Sequence, residues 1–199
     1  MKRMMLDLCS GFGGQSQDFL DNNWDVLRID NNPLLNGVKN TVIEDIYELA
    51  VYNNSSTRID YVHAGPTCTE FSLAYNAPRS IAIHSGKENE YDPKEGIRLV
   101  ERCKQIIDTL NPIYWSIENV RGSIKYLTPI LGEPRLIVGA WVYWGNFPLF
   151  DPSTLTLPNK SAQDKRHSPL RANYRAHIPL CVSRAFRKSM EEQKSIFNY

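Results

Sequence analysis

The chain has 199 residues, 42% hydrophobic and 23% charged, with a formal net charge of +1, the make-up of one globular domain large enough for a core of its own. No apolar run approaches the roughly 18 residues of a membrane span, residues 1–6 are too short for a secretory signal before the acid at Asp7, and Cys9, Cys68, Cys103 and Cys181 have neither CxxC nor zinc spacing. Reduced thiols, no metal, and the cytoplasm of a bacterial or phage-infected cell are therefore expected.

Met4 to Cys9 is a short apolar run that reads as a buried first strand, and Ser10-Gly11-Phe12-Gly13-Gly14 follows it as a glycine-rich turn. A helix should begin over Gln15–Leu20. Trp24 to Asp30 reads as a second strand closing on an acid, and Asn31-Asn32-Pro33 breaks it. Val42 to Ile46 is a weak third strand. Asp60 to Ala64 is a fourth, cut off by Gly65-Pro66. Residues 73–92 read as a long polar loop, with Arg79 and Lys87 in reach of phosphate if it acts as a lid. Pro93 to Leu110 has apolar residues at helical spacing (Ile97, Val100, Ile107, Leu110), a proline suited to a first turn and a break at Asn111-Pro112. Ile113 to Ile117 is a fifth strand that delivers Glu118. Leu136 to Trp144 gives one or two more. Residues 151–176 read as irregular, and Ile178–Met190 as a last amphipathic helix.

Alternation of strands and helices predicts an α/β fold, a mostly parallel sheet with helices on both faces. Ligands of such sheets sit beyond the carboxyl ends of the strands. The glycine turn, Asp30, Cys68 and Glu118 all fall at such ends. The turn lets backbone approach a ligand and feeds a helix N-terminus. Asp30 is placed to hold ribose hydroxyls. The glycine spacing lacks the GxGxxG register, which disfavours a nicotinamide dinucleotide and an oxidoreductase. Cys68 follows a Gly-Pro break, on a turn that can present a thiolate; Phe71 can pack beneath it, and Ser72 can cap the next turn. Glu118 ends an apolar strand, where burial would favour its protonated form. A carboxyl there can donate to N3 of a cytosine while accepting from its amine.

These residues carry a family resemblance. Asp7-Leu8-Cys9-Ser10-Gly11-Phe12-Gly13-Gly14 resembles the first motif of cytosine-C5 DNA methyltransferases, Gly65-Pro66-Thr67-Cys68-Thr69-Glu70-Phe71-Ser72 their nucleophile loop, and Glu118-Asn119-Val120 their Glu-Asn-Val motif. The resemblance covers residues 4–120 and implies a Rossmann-like fold using S-adenosylmethionine, held by Asp7, Cys9 to Gly14, Asp30, Asn31, Pro66 and, on the adenine side, Asp45 and Ile46. It implies Cys68 as nucleophile and Glu118 as acid acting on a flipped-out cytosine in DNA. Asn119, beside Glu118, is expected to orient the cysteine loop or to make a turn.

Departures from the pattern are equally visible. Thr67 and Thr69 stand where the family has Pro and Gln. The Gln-x-Arg-x-Arg motif is missing; Arg135 is a stand-in or a solvated hairpin residue. Residues 160–199 carry nine Lys/Arg against three Asp/Glu, a net of +6, whereas residues 1–159 carry −5; the basic stretch contacts phosphate or is simply solvated. Residues 145–176, with Arg166 and Arg171, leave only a reduced substrate-contacting region within the single domain of residues 1–199. Residues 177–199 form a closing helix and tail, whose Ile178–Phe186 stretch resembles the family's last motif. Small phage and prophage methyltransferases are the nearest type. RNA or a free nucleotide as substrate, a larger transferred group, and a non-catalytic nucleic-acid binder are the alternatives.

Overall fold

The computed structural model describes residues 2–52, 58–74, 76–159 and 167–193. In chain order the elements are β1 (Met4–Leu8), α1 (Gln17–Asp21), β2 (Asp25–Asp30), β3 (Thr41–Ile43), β4 (Tyr61–Ala64), α2 (Pro78–His84), α3 (Lys94–Leu110), β5 (Tyr114–Val120), α4 (Ile124–Leu131), β6 (Leu136–Val138), β7 (Trp141–Asn146), α5 (Arg171–Ala176) and α6 (Leu180–Glu192). The strands form one sheet in the order β3-β2-β1-β4-β5-β7-β6. The first five are parallel; β7 runs antiparallel to β5, and β6 antiparallel to β7. This is the expected α/β, Rossmann-like architecture. The order reverses between β1 and β4, the switch point where such sheets open a crevice.

Strand alternation divides the side chains between two cores. Leu6, Leu8, Val62, Ala64, Ile117, Val142 and Trp144 face α3 and α4, meeting Val100, Cys103, Ile106, Ile107 and Leu127. Met5, Val26, Tyr61 and Tyr143 face the other way, against Phe19, Val182, Phe186 and Met190 of α1 and α6. On that second face the strands are apolar toward their starts and polar toward their ends. Arg28, Asp7, His63 and Ser116 lie side by side in register across β2, β1, β4 and β5. All four are buried.

The closing helix α6 is fastened to α1 by polar contacts. Ser183 Oγ donates to Gln15 O at 2.6 Å and accepts from Asp18 N at 3.1 Å. The buried Asp18 carboxylate takes Arg184 Nε at 3.1 Å and Arg187 Nε at 2.7 Å. No helix among the described residues is long and apolar enough to cross a membrane.

Three helices depart from the sequence reading. The expected loop over 73–92 holds α2 and a 3₁₀ turn at Glu88–Glu90. The stretch after Glu118 holds α4, with Pro129 inside it. The expected irregular region 151–176 contains α5. α1 starts at Gln17 rather than Gln15, because Gln15 and Ser16 turn their side chains into the buried polar layer instead. β3 stops at Ile43, short of the expected Ile46.

Candidate active site

The glycine turn lies at the carboxyl end of β1. Cys9, Gly11 and Gly13 have φ of 52°, 54° and 70°, in the left-handed region. Ser10 N donates to Ile29 O at 3.1 Å and Gly13 N to Ser10 O at 2.8 Å, which closes the turn against β2. Gly13 admits no side chain, since a Cβ there would strike the Arg28 guanidinium, with Nη2 at 2.7 Å. Gly14 admits none because Ile178 O and N would lie 2.6 and 2.8 Å away. The segment leading into α6 is thus laid directly on the turn. Phe12 is half-buried, its ring centroid 4.7 Å from that of Tyr174 on α5.

Asp30 is oriented by main chain: Oδ2 accepts from Gly11 N at 2.8 Å and Oδ1 from Asn32 N at 3.0 Å. Its neighbour Asn31 is exposed. Asp45 Oδ1 caps its own turn through Tyr47 N at 3.0 Å, and Ile46 is buried beneath. Arg102 of α3 holds this turn, with Nε 2.9 Å from Ile46 O and Nη2 2.8 Å from Leu49 O.

Asp7 sits under the glycine turn. Burial pushes its carboxyl up to about 7, against a hydrogen bond from Ser16 and the charge of Arg28. Ser16 Oγ donates to Asp7 Oδ2 at 2.5 Å and accepts from Arg28 Nε at 2.9 Å. Asp7 Oδ1 and Ser10 Oγ are buried with no hydrogen-bond partner. The Cys9 thiol is held well above its ordinary value by a hydrogen bond with Cys103, by burial and by nearby acids, so it is no candidate nucleophile.

Cys68 and Glu118 come from the adjacent strand ends β4 and β5. The chain leaves β4 through Gly65, whose N donates to Leu8 O at 3.0 Å. A Cβ on Gly65 would lie 3.5 Å from Cys9 O, 3.6 Å from His63 Nε2 and 4.0 Å from Glu118 Oε2. The space a side chain would take at Gly65 is thus bordered by the glycine turn, His63 and the acid. Asn119, buried on the opposite face, ties the cysteine loop to the same strand end: Nδ2 donates to Pro66 O at 3.2 Å, and Oδ1 accepts from Val120 N at 2.9 Å. Pro66 is buried, and Cys68 and Glu118 are half-buried. Thr67 and Thr69, both exposed, share a 2.9 Å hydroxyl contact on either side of Cys68. Ser72 Oγ accepts from Ala74 N at 3.0 Å, the local cap expected of it.

Two of the expected basic contacts are engaged elsewhere. Arg79 is 8% exposed and donates to Gly122 O at 2.6 Å; it belongs to the interior beneath the cysteine loop, not to a phosphate-gripping lid. Arg135 donates through Nε to Phe147 O at 2.8 Å and lies over the Phe147 ring. It lines a separate groove with Leu149, Phe150, Cys181, Arg184 and Lys188. Arg171 is exposed at the start of α5, and Arg166 lies outside the described residues.

The sequence reading did not single out the buried polar layer behind the acid. His63 Nδ1 lies 2.8 Å from Ser116 Oγ, which lies 2.6 Å from Tyr61 OH. Gln15 links Tyr61 and Tyr143, each contact 3.3 Å. Burial lowers the His63 pKa to about 3, so the imidazole is neutral. One available signal was Arg28 between the apolar Leu27 and Ile29, on the strand beside the glycine turn.

No family model matches the chain, and no curated protein matches it. Among solved structures it is similar to a protein described as a prophage-encoded DNA modification methyltransferase of E. coli, at 18% identity and TM-score 0.48 over 72% of this chain and 46% of that one. Spodoptera frugiperda DNMT2 gives 21% identity and TM-score 0.44 over 80% and 53%. The 16S rRNA methylase RmtB gives 9% and 0.43 over 73% and 55%. The chain thus spans about half the length of these structures.

Proposed function

We propose that this chain is an S-adenosylmethionine-dependent methyltransferase acting on C5 of a cytosine in DNA, in the cytoplasm of a bacterial or phage-infected cell. One observation carries the reading. The open side of Gly65 is bordered by Cys9 O and Glu118 Oε2, 3.5 and 4.0 Å from where a Cβ would stand, while Asn119 tethers the following Pro66. A glycine turn, a thiol-bearing loop and a carboxyl thereby share one strand-end crevice.

The residues fit the cofactor. Gly11 offers bare backbone in left-handed conformation, and main-chain N–H groups preset the Asp30 carboxylate for a ribose diol. Asp7 Oδ1 and Ser10 Oγ are buried polar atoms awaiting a partner. Asp45 and Ile46 would meet the adenine, on the turn that Arg102 holds. Bound there, S-adenosylmethionine supplies an electrophilic methyl group.

Cys68 as thiolate adds to C6 of a flipped-out cytosine; the C5–C6 π pair moves toward C5, and negative charge builds on the ring. Glu118, protonated, donates to N3 and offsets that charge. C5 is thereby made nucleophilic toward the methyl group that S-adenosylmethionine would supply, S-adenosylhomocysteine being the group that would leave. A base then removes the C5 proton, the C–S bond breaks to restore the C5–C6 double bond and the Cys68 thiolate, and the N3 proton returns to Glu118. Asn119 keeps the cysteine loop against the acid throughout. Arg171 and Arg166, in the basic C-terminal stretch, are the proposed phosphate contacts.

The test is tritium transfer from labelled S-adenosylmethionine to DNA, RNA and dCTP, with a 5-fluorocytosine oligonucleotide as covalent trap. DNA should be labelled, the wild type trapped, and Cys68→Ser not trapped. Glu118→Gln should keep cofactor affinity and lose ~2–4 orders of magnitude in turnover. Trapping that persists in Cys68→Ser would refute the mechanism, and labelling of RNA or dCTP alone would reassign the substrate.

A further inference from the structure

We infer that Arg79 is a positioning residue, whose buried guanidinium locks the Cys68 turn onto the turn that follows Glu118. The inference rests on the reading of Cys68 as nucleophile given above. Arg79 Nη1 donates to Gly122 O at 2.6 Å and, more weakly, to Phe71 O at 3.4 Å. Those two carbonyls belong to different segments. Phe71 is three residues after Cys68, and Gly122 is four after Glu118. One cation thus bridges the two strand-end turns on which the reaction depends.

The link from Phe71 to the sulfur-bearing residue is short. Cys68 O accepts from both Phe71 N, at 3.0 Å, and Ser72 N, at 2.9 Å, so Cys68 to Ser72 is one closed turn. A displacement of Phe71 O is passed directly to Cys68. The same turn is held from its other side, where Glu70 Oε2 accepts from Gly96 N in the first turn of α3 at 2.6 Å. Tyr91 OH donates to Glu70 O at 2.9 Å. The Phe71 ring is fully buried, 5.9 Å from Tyr126.

Gly122 is bare for the same reason. A Cβ there would strike Phe71 O and lie 2.7 Å from Arg79 Nη1. The guanidinium lies over the Tyr126 ring, 5.4 Å from its centroid, but is only partly provided for otherwise. Nε is buried without a partner. Its ion pair, Nη2 to Glu88 Oε1 at 3.3 Å, is to a half-exposed carboxylate shared with Lys125. A buried cation with an unmet donor is costly. What this one does achieve is to hold the two carbonyls together. Nucleophilic addition depends on such placement, since a misplacement of about 1 Å costs about 100-fold in rate.

The experiment compares wild type, Arg79→Ala and Glu88→Gln, the last loosening the guanidinium from the surface without emptying the interior. Hydrogen exchange at the Phe71 and Ser72 amides, without substrate, should quicken in Arg79→Ala by about 10-fold or more, and less in Glu88→Gln. Covalent capture on 5-fluorocytosine DNA should slow roughly 10–100-fold in Arg79→Ala and recover in part on adding guanidinium ion. Alkylation of Cys68 by iodoacetamide, which needs no base alignment, should not slow. If Arg79→Ala does not fold, the graded change in Glu88→Gln decides the matter. Unchanged exchange in every folded variant overturns the inference whatever capture does. Quickened exchange in a protein that fluorocytosine never traps supports the clamp and sinks the cytosine reading instead.

Discussion

Gly13→Ala separates the steric demand of the glycine turn from its conformational one. The residue has φ 70°, and a methyl group would strike the guanidinium of Arg28, itself 1% exposed. That guanidinium donates to Ser16 Oγ at 2.9 Å, Gly13 O at 3.2 Å, Gln17 Oε1 at 3.0 Å and Lys39 O at 2.9 Å. Left-handed backbone costs a non-glycine residue about 1 kcal/mol. Shifting Arg28 far enough to clear a methyl breaks at least the bonds to Ser16 and Gly13, each worth roughly 1.5 kcal/mol or more for a charged donor. The loss is then about 4 kcal/mol, or roughly 10 °C in melting temperature for a domain of this size. Gly11→Ala is the internal control. It has similar φ, 54°, but its methyl would meet only the Asn173 amide, at 3.3 Å. Strain alone gives about 1 kcal/mol and roughly 3 °C. Thermal unfolding followed by circular dichroism measures both. Equal melting temperatures for the two variants would refute the claim that Arg28, rather than backbone strain, makes Gly13 obligatory.

Asp7 should leave a mark on the pH dependence of stability. Its carboxyl titrates at about 7 in the fold against an ordinary 3.8, so the unfolded chain ionises first. Its contribution is whole below pH 3.8, declines as pH rises to about 7 and is level above that. Asp7→Asn should lack the decline; urea unfolding across that window checks it, and parallel profiles for the two proteins would count against burial as the cause. Ser183→Ala removes a hydroxyl that donates to Gln15 O and accepts from Asp18 N. A loss of about 1–3 kcal/mol is expected, together with faster tryptic cleavage at Arg184 and Arg187 as α6 loosens. A melting temperature within about 1 °C of wild type would mean the helix is held by its apolar face alone.

The residues legible in sequence share a property that explains why they were legible. Asp30 ends β2, Glu118 lies two residues before the end of β5, and Cys68 and the glycines follow β4 and β1; a parallel sheet sends these strand ends to one edge, so their order along the chain already implies that they meet. Asn119 stands beside Glu118 on the same strand, and its Nδ2 donates to Pro66 O. Arg79 was misread because a basic residue in a polar stretch looks solvated until its acceptor is known, and its acceptor is the carbonyl of Gly122. No side-chain pattern encodes a carbonyl. α2 was missed for a related reason. It has seven residues, too few for a periodic stripe, and its buried positions are the polar Arg79 and Ser80. The row of Arg28, Asp7, His63 and Ser116 is the same problem on a larger scale. They stand on four different strands, and only the register between strands makes them neighbours. That layer, with Asp7 Oδ1 still lacking a partner, underlies the turn assigned to the cofactor. The chemistry hardest to see in the sequence is therefore the part that sets the charge beneath the crevice.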